Sequence, residues 1–182
     1  MNEVAPRGPH PASAGRAVGI DETLVRSVVE KFYAKVRRDP LLGPIFNEAV
    51  EDWPDHINRL SAFWSSLTLM TGRYKGEPFE VHLRLPALGP MHFRTWLRLF
   101  DETLGELCTR DQAEVFRIRA ERVAESLNLG LAFRRGEAPL PLRRASTRIR
   151  RSRGSTSRSP AAQPLISANT SLHRADFLLF TR

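Results

Sequence analysis

Between residues 20 and 134, four stretches repeat their apolar side chains at three- and four-residue spacing, the period of an amphipathic helix. In the first, Leu24, Val28, Phe32 and Val36 form one row and Val25, Val29 and Tyr33 the row beside it. Asp21 stands in front as an N-cap, and Asp39-Pro40 closes the helix. Leu41 to Val50, with Gly43-Pro44 and Phe46, reads as an irregular or single-turn connector. The second helix starts at Asp52 with Pro54 in its first turn. Trp53, Ile57, Leu60, Trp64 and Leu67 form one row there, and His56, Leu60, Phe63, Leu67 and Met70 the next. Gly72 to Pro78 is a loop by its glycine and proline content. It leads into Phe79-Glu80-Val81-His82-Leu83, a short apolar turn closed by Pro86 and Pro90. The third helix runs from Pro90 with Phe93, Trp96, Phe100, Leu104 and Leu107 on one stripe. Thr109 and Gln112 then have the form of a capping box. The fourth helix carries Phe116, Ala120, Val123, Leu127 and Leu131 and fades near Arg134 to Gly136. No alternating, strand-like run interrupts this pattern, so the fold class is all-α.

Charge separates the tails from this unit. Residues 134 to 182 hold eleven Arg against Glu137 and Asp176, a net of +9, whereas residues 1 to 133 carry 17 basic and 18 acidic side chains. The basic excess therefore belongs to the tail and says nothing about what the folded part binds. The expected organisation is a disordered extension over 1–19, a helical domain over 20–134, and an Arg/Ser-rich disordered tail over 135–182 that cannot bury enough surface to order itself. Residues 1–19 lack the apolar core of a signal peptide. No segment has the roughly 20 apolar residues of a membrane span. A lone Cys108 excludes an internal disulfide and fits a cytoplasmic setting. The arginine cluster suits weak, salt-sensitive contact with nucleic acid or an anionic surface, without the interleaved aromatics of specific recognition. Arg143-Arg144-Ala145-Ser146 has the outline of a basophilic phosphosite, a four-residue match of low specificity.

Five histidines are present: His10, His56, His82, His92 and His173. None has zinc-ligand spacing. Taken singly, each of the central three reads as a satisfied core or surface histidine, His92 as a cap or as facing solvent. Together, Tyr33, His56, His82 and Trp96 come from four separate elements, each among Phe, Leu, Val or Trp on its own face. Four polar groups converging in so small a core answer no packing need. An apolar slot with a few polar handles is what a flat hydrophobic cofactor requires.

The segments that carry these residues are Phe32-Tyr33-x-x-Val36-Arg37-x-Asp39-Pro40-Leu41-Leu42-Gly43-Pro44-Ile45-Phe46, Asp52-Trp53-x-x-His56, Phe63-Trp64-x-x-x-Leu67, Gly72-x-Tyr74-x-Gly76-x-Pro78-Phe79-x-x-His82-x-x-Leu85-Pro86 and Phe93-x-x-Trp96-Leu97-x-Leu99-Phe100. In this order and spacing, across residues 20 to 134, the chain resembles a group III truncated haemoglobin. The resemblance implies a two-over-two helical sandwich around non-covalent haem b, with His82 as the proximal iron ligand. It also implies Tyr33, His56 and Trp96 on the side of the bound gas. Phe46, Phe63, Leu67, Phe79, Phe93 and Leu97 are candidate cofactor contacts, against the alternative of plain core. Arg73, Lys75, Arg84 and Arg94 are candidates for the propionates, with solvated surface charge as the default.

A diatomic ligand that gains negative charge on binding is stabilised by donors, here the Tyr33 O–H and the Trp96 indole N–H, each contributing about 1.5 to 3 kcal/mol in a dry pocket. Two such donors slow release by an order of magnitude or more and make a poor carrier. The expected function is therefore binding of O2, NO or CO for ligand chemistry such as nitric oxide detoxification, served by a reductase. Peroxidase-like chemistry is the alternative within the same class, with His56 or Tyr33 moving protons. A cofactor-free helical interaction module with a basic tail is the alternative of another class. His56 could donate, gate access or shuttle a proton, or simply be a partly exposed histidine beside Trp53 and Ile57.

Overall fold

The structure, a computed structural model, describes residues 8–76 and 88–142. The chain divides into two units, residues 1–142 and 143–182, and the second lies wholly outside the described residues, as does the expectation of disorder there. Among the described residues every regular element is helical. They are α1 (Ala14–Ala17), α2 (Glu22–Val36), α3 (Gly43–Ala49), α4 (Trp53–Leu69), α5 (Pro90–Leu107) and α6 (Arg110–Arg135). None of them is long and apolar enough to cross a membrane.

The capping signals act where the sequence placed them. Asp21 accepts from the Leu24 N–H at 2.8 Å and Asp52 from the Asp55 N–H at 2.9 Å. The Thr109 hydroxyl accepts from Gln112 N–H, whose side chain accepts in turn from Thr109 N–H at 3.0 Å. Gly136 takes φ +67° and ends α6, with the Glu137 N–H on the Ala132 carbonyl. His92 accepts the Gly89 N–H through Nδ1 at 3.1 Å and so caps α5, the role read for it. The connector over 41–50 is more regular than expected. Asp39 Oδ1 accepts from the Leu41 and Leu42 N–H groups and turns the chain. Pro44 then sits in the first turn of α3, where its missing donor costs nothing. Gly43 is required here, because a Cβ would lie 2.7 Å from the Arg37 carbonyl oxygen.

Two helical pairs stack around one core, α2 with α4 over α5 with α6, which is the two-over-two sandwich. Val25, Val28, Val29, Phe32 and Val36 from α2 meet Trp64 and Leu69 from α4, Phe100 and Leu104 from α5, and Phe116 and Ala120 from α6. Burying each such side chain contributes about 1.5 to 3 kcal/mol. A smaller cluster of Leu88, Phe93, Ala124, Leu127 and Leu131 lies along the C-terminal half of α6.

Both ends of the helical unit extend further than expected. From residue 8 onward, the stretch read as a disordered extension packs on α4: His10 N–H donates to the Leu69 carbonyl at 2.8 Å, and Ser13 is buried. The physical reason is small side chains. Gly15 comes so close that a Cβ would lie 2.5 Å from the Thr68 carbonyl oxygen, and this close approach lets the His10 N–H reach the Leu69 carbonyl that the end of α4 leaves orphaned. At the other end, residues 137–142, assigned to the tail, are fastened down. Asn128 Nδ2 donates to the Leu140 carbonyl at 2.9 Å, and Arg94 donates to the Pro141 and Leu142 carbonyls at 3.0 and 3.3 Å.

Candidate functional site

Tyr33 follows Phe32 on the face of α2 turned to the core, and it is only 5% exposed. A buried phenol needs a partner. It has one in Trp96 on α5, whose indole N–H can only donate, so the Tyr33 oxygen is the acceptor. Burial pushes the Tyr33 hydroxyl well above the ordinary phenol range, and the bond from Trp96 offsets this in part. The hydroxyl therefore keeps its proton throughout the physiological range, and that proton is not the one shared with Trp96.

Core packing aims the indole. Trp96 lies almost parallel to Phe100, with centroids 5.3 Å apart and an interplanar angle of 8°, while Trp64 stacks on the same Phe100 at 4.7 Å. Phe32 meets Trp96 and Phe100 edge-on at 5.1 and 4.9 Å. Ring pairs of this kind contribute about 0.5 to 1.5 kcal/mol each beyond area burial. The donor is therefore held by three rings that belong to the hydrophobic core.

His56, in the first turns of α4, stands perpendicular to Tyr33 with centroids 5.8 Å apart. It also meets Trp53 edge-on at 5.6 Å, and Trp53 and Phe46 lie 6.2 and 6.0 Å from Tyr33. The structure thus brings Tyr33, His56, Trp96 and Phe46 into one cluster and places the imidazole on the α2 side of its helix. Leu67 and Leu97 are half-buried at the edge of the core. Phe63 packs instead against Trp64 and Tyr74 at 5.7 and 5.2 Å. Phe93 belongs to the smaller cluster beside Leu127 and Leu131, and Leu97 touches both clusters. His82 and Phe79 lie outside the described residues, as does Arg84.

Two of the remaining cations are already engaged. Arg73 pairs with Glu22 at 3.3 Å, and Arg94 is spent on the Pro141 and Leu142 carbonyls of the strap over residues 137–142. Lys75 is exposed. Glu22 also accepts from the Ser65 hydroxyl at 2.8 Å, and Ser65 meets Thr71 at 2.8 Å, so a buried polar knot ties the start of α2 to the chain leaving α4. Sequence reasoning missed this knot, because Ser65 reads as an ordinary polar interruption of an apolar row. Trp53, read from the sequence as part of an apolar row with His56 beside it, joins the cluster, as its spacing of three from His56 requires.

The curated group 3 truncated hemoglobin ctb of Campylobacter jejuni is 37% identical over 109 residues, which are 58% of this chain and 86% of that protein. The crystal structure of the group III truncated hemoglobin from Campylobacter jejuni superposes with a TM-score of 0.59 at 35% identity, covering 62% of this chain and 91% of that one. The group II truncated hemoglobin from Bacillus anthracis superposes with a TM-score of 0.54 at 20% identity, covering 65% and 92%, a likeness of fold alone. No protein-family profile matches the chain.

Proposed function

As the chain belongs to the group III truncated haemoglobins, we propose that it holds haem b non-covalently through His82 and works on O2 and NO rather than carrying oxygen. Membership of the family implies the haem. The described residues suit such a flat, apolar group: Trp53, Ile57, Leu60 and Leu67 on α4 and Trp96 and Leu97 on α5 are large apolar side chains left half-covered. Phe46, Phe63, Phe79 and Phe93 are further candidate walls. Bound haem supplies an iron with an open coordination position for O2, NO or CO.

The observation that carries the proposal is the placing of Tyr33 between His56 and Trp96, whose indole N–H can only donate toward the Tyr33 oxygen. Because Trp96 fills an acceptor site on the Tyr33 oxygen, the Tyr33 O–H is left to donate to a small ligand beside it. His56, perpendicular to the same ring, stands where it can donate as well or move a proton. The surrounding rings exclude water, which strengthens each of these bonds. A ligand held by two donors leaves slowly, so turnover suits the pocket better than carriage. The net reaction is one nitric oxide, one dioxygen and one electron to one nitrate, with the electron from a reductase in the cytoplasm. Peroxidase-like turnover is the second reading, favoured by the contact of His56 with Tyr33, and nitric oxide against peroxide consumption by one sample separates the two. Contact of the arginine-rich tail with nucleic acid or an anionic surface is a further expectation, readable as binding lost with salt.

The test is dioxygen release from the ferrous, haem-loaded protein followed by stopped flow. Tyr33→Phe should release about 10 to 100 times faster, as expected for one lost hydrogen bond. A rate within about twofold of the parent overturns the donor role, and protein that shows no Soret band after hemin is added overturns the whole proposal.

A further inference from the structure

The Arg37 guanidinium lies over the face of the Trp53 indole, 4.5 Å from the ring centroid. None of the ion pairs among the described residues includes Arg37. Its backbone is firmly placed. Arg37 is the C-cap of α2, its carbonyl accepts from Asn47 Nδ2 of α3 at 3.2 Å, and Gly43 packs against the same oxygen. The side chain therefore leaves from a fixed point and reaches across to the first residue of α4.

Trp53 is in turn three residues before His56, on the same helical face, with its ring edge-on to the imidazole. The imidazole stands edge-on to Tyr33. Burial falls along this row, from Tyr33 in the core, through half-buried His56 and Trp53, to exposed Arg37. The row thus runs from the buried hydroxyl out to solvent.

We propose that Arg37 and Trp53 form a latch at the pocket edge: the guanidinium holds the indole, and the indole holds His56 against Tyr33. Arg37 is then a positioning residue that sets how readily a small ligand reaches the pocket without touching that ligand. This rests on the reading of Tyr33, His56 and Trp96 as the polar wall of the haem pocket. Moving the imidazole aside requires Trp53 to shift, and Trp53 shifts only when the cation leaves its face. A Lys at this position retains the charge over the ring but loses the planar stacking of the guanidinium.

The experiment uses the haem-loaded full chain with carbon monoxide as probe, reading the association rate after photolysis and the infrared C–O stretch. Arg37→Leu should associate about threefold to tenfold faster and add a second C–O band from molecules whose imidazole has moved away. Arg37→Lys should fall between Arg37→Leu and the parent, and Arg37→Leu in a His56→Leu background should be no faster than His56→Leu alone. A single unshifted band and an unchanged rate in Arg37→Leu, with both altered in His56→Leu, overturn the latch and leave the pocket reading standing. If His56→Leu also changes neither, the pocket reading falls and the latch with it. Equal acceleration by Arg37→Leu with and without His56 also overturns the latch, since Arg37 then acts by another route.

Discussion

Replacing Trp96 by Phe removes one N–H donor and part of one ring, and the consequences can be worked out from the contacts. The remaining phenyl still stacks on Phe100 and meets Phe32, so most of the ring packing survives. The Tyr33 oxygen, in a side chain that is only 5% exposed, loses its donor with little access to water. An orphaned buried polar atom costs about 1 to 3 kcal/mol, and the smaller ring adds about 1 kcal/mol. Tyr33→Phe costs less, about 1 kcal/mol, because Trp96 is only half-buried and its N–H lies nearer to water than the Tyr33 oxygen does. When both are replaced, the orphan created by Trp96→Phe no longer exists. The double variant should therefore be more stable than the sum of the singles predicts, by about 1 to 1.5 kcal/mol. Urea unfolding followed by far-ultraviolet circular dichroism, at one fixed haem loading, measures all three against the parent. Strict additivity within about 0.3 kcal/mol would refute the hydrogen bond as a net stabilising contact, and with it the argument that Trp96 directs the Tyr33 proton.

Three further outcomes follow from other parts of the molecule. Gly15→Ala forces a Cβ against the Thr68 carbonyl, so it should cost about 1 to 3 kcal/mol and expose residues 8–19 to limited proteolysis, read as earlier cleavage on a gel. The Glu106 carboxyl, hydrogen-bonded by Lys31 and Lys35 of α2, is held down to about 2. A depressed carboxyl stabilises fully above its unfolded value of about 4.5 and loses that contribution as the pH falls toward 2. Glu106→Gln should flatten the acid limb of the stability curve over that window and leave it unchanged in slope above about pH 5, as pH-dependent melting will report. His82→Ala should abolish the normal haem spectrum, and a variant that retains it would remove His82 as the axial ligand.

The four long helices and their N-caps were legible because each cap depends on local chemistry: Asp21, Asp52 and Thr109 with Gln112 act within a few residues of themselves. The convergence of Tyr33, His56 and Trp96 was suggested by polar groups on apolar faces and became definite only through the resemblance, since periodicity puts each on an apolar face without saying which faces meet. Residues 8–19 were misread because composition, rich in Pro, Gly and Ala, is the same for a solvated tail and for a segment whose small side chains let it lie against another helix. What separates the two is the Thr68 carbonyl opposite Gly15, and that is a tertiary fact. Likewise Arg73 and Arg94 looked like free cations for an anionic cofactor edge until Glu22 and the strap carbonyls were found beside them.

The Trp96 donor of the proposed pocket is oriented by rings that also hold the fold together, and this changes how variants should be interpreted. Phe100 touches Trp64, Trp96, Phe32 and Phe116 at once, so trimming it loosens the core and releases the indole in one step. A loss of ligand affinity in a Phe100→Leu protein would therefore say little about chemistry by itself. Stability and ligand release have to be measured on the same sample and compared with Tyr33→Phe, which leaves the three-ring support of Trp96 intact. If Phe100→Leu accelerates release as much as Tyr33→Phe while melting far lower, the core acts on the ligand through the aim of the Trp96 N–H. If it melts lower and releases at the parent rate, the indole keeps its direction without Phe100, and the aiming belongs to Phe32 and Trp64 instead.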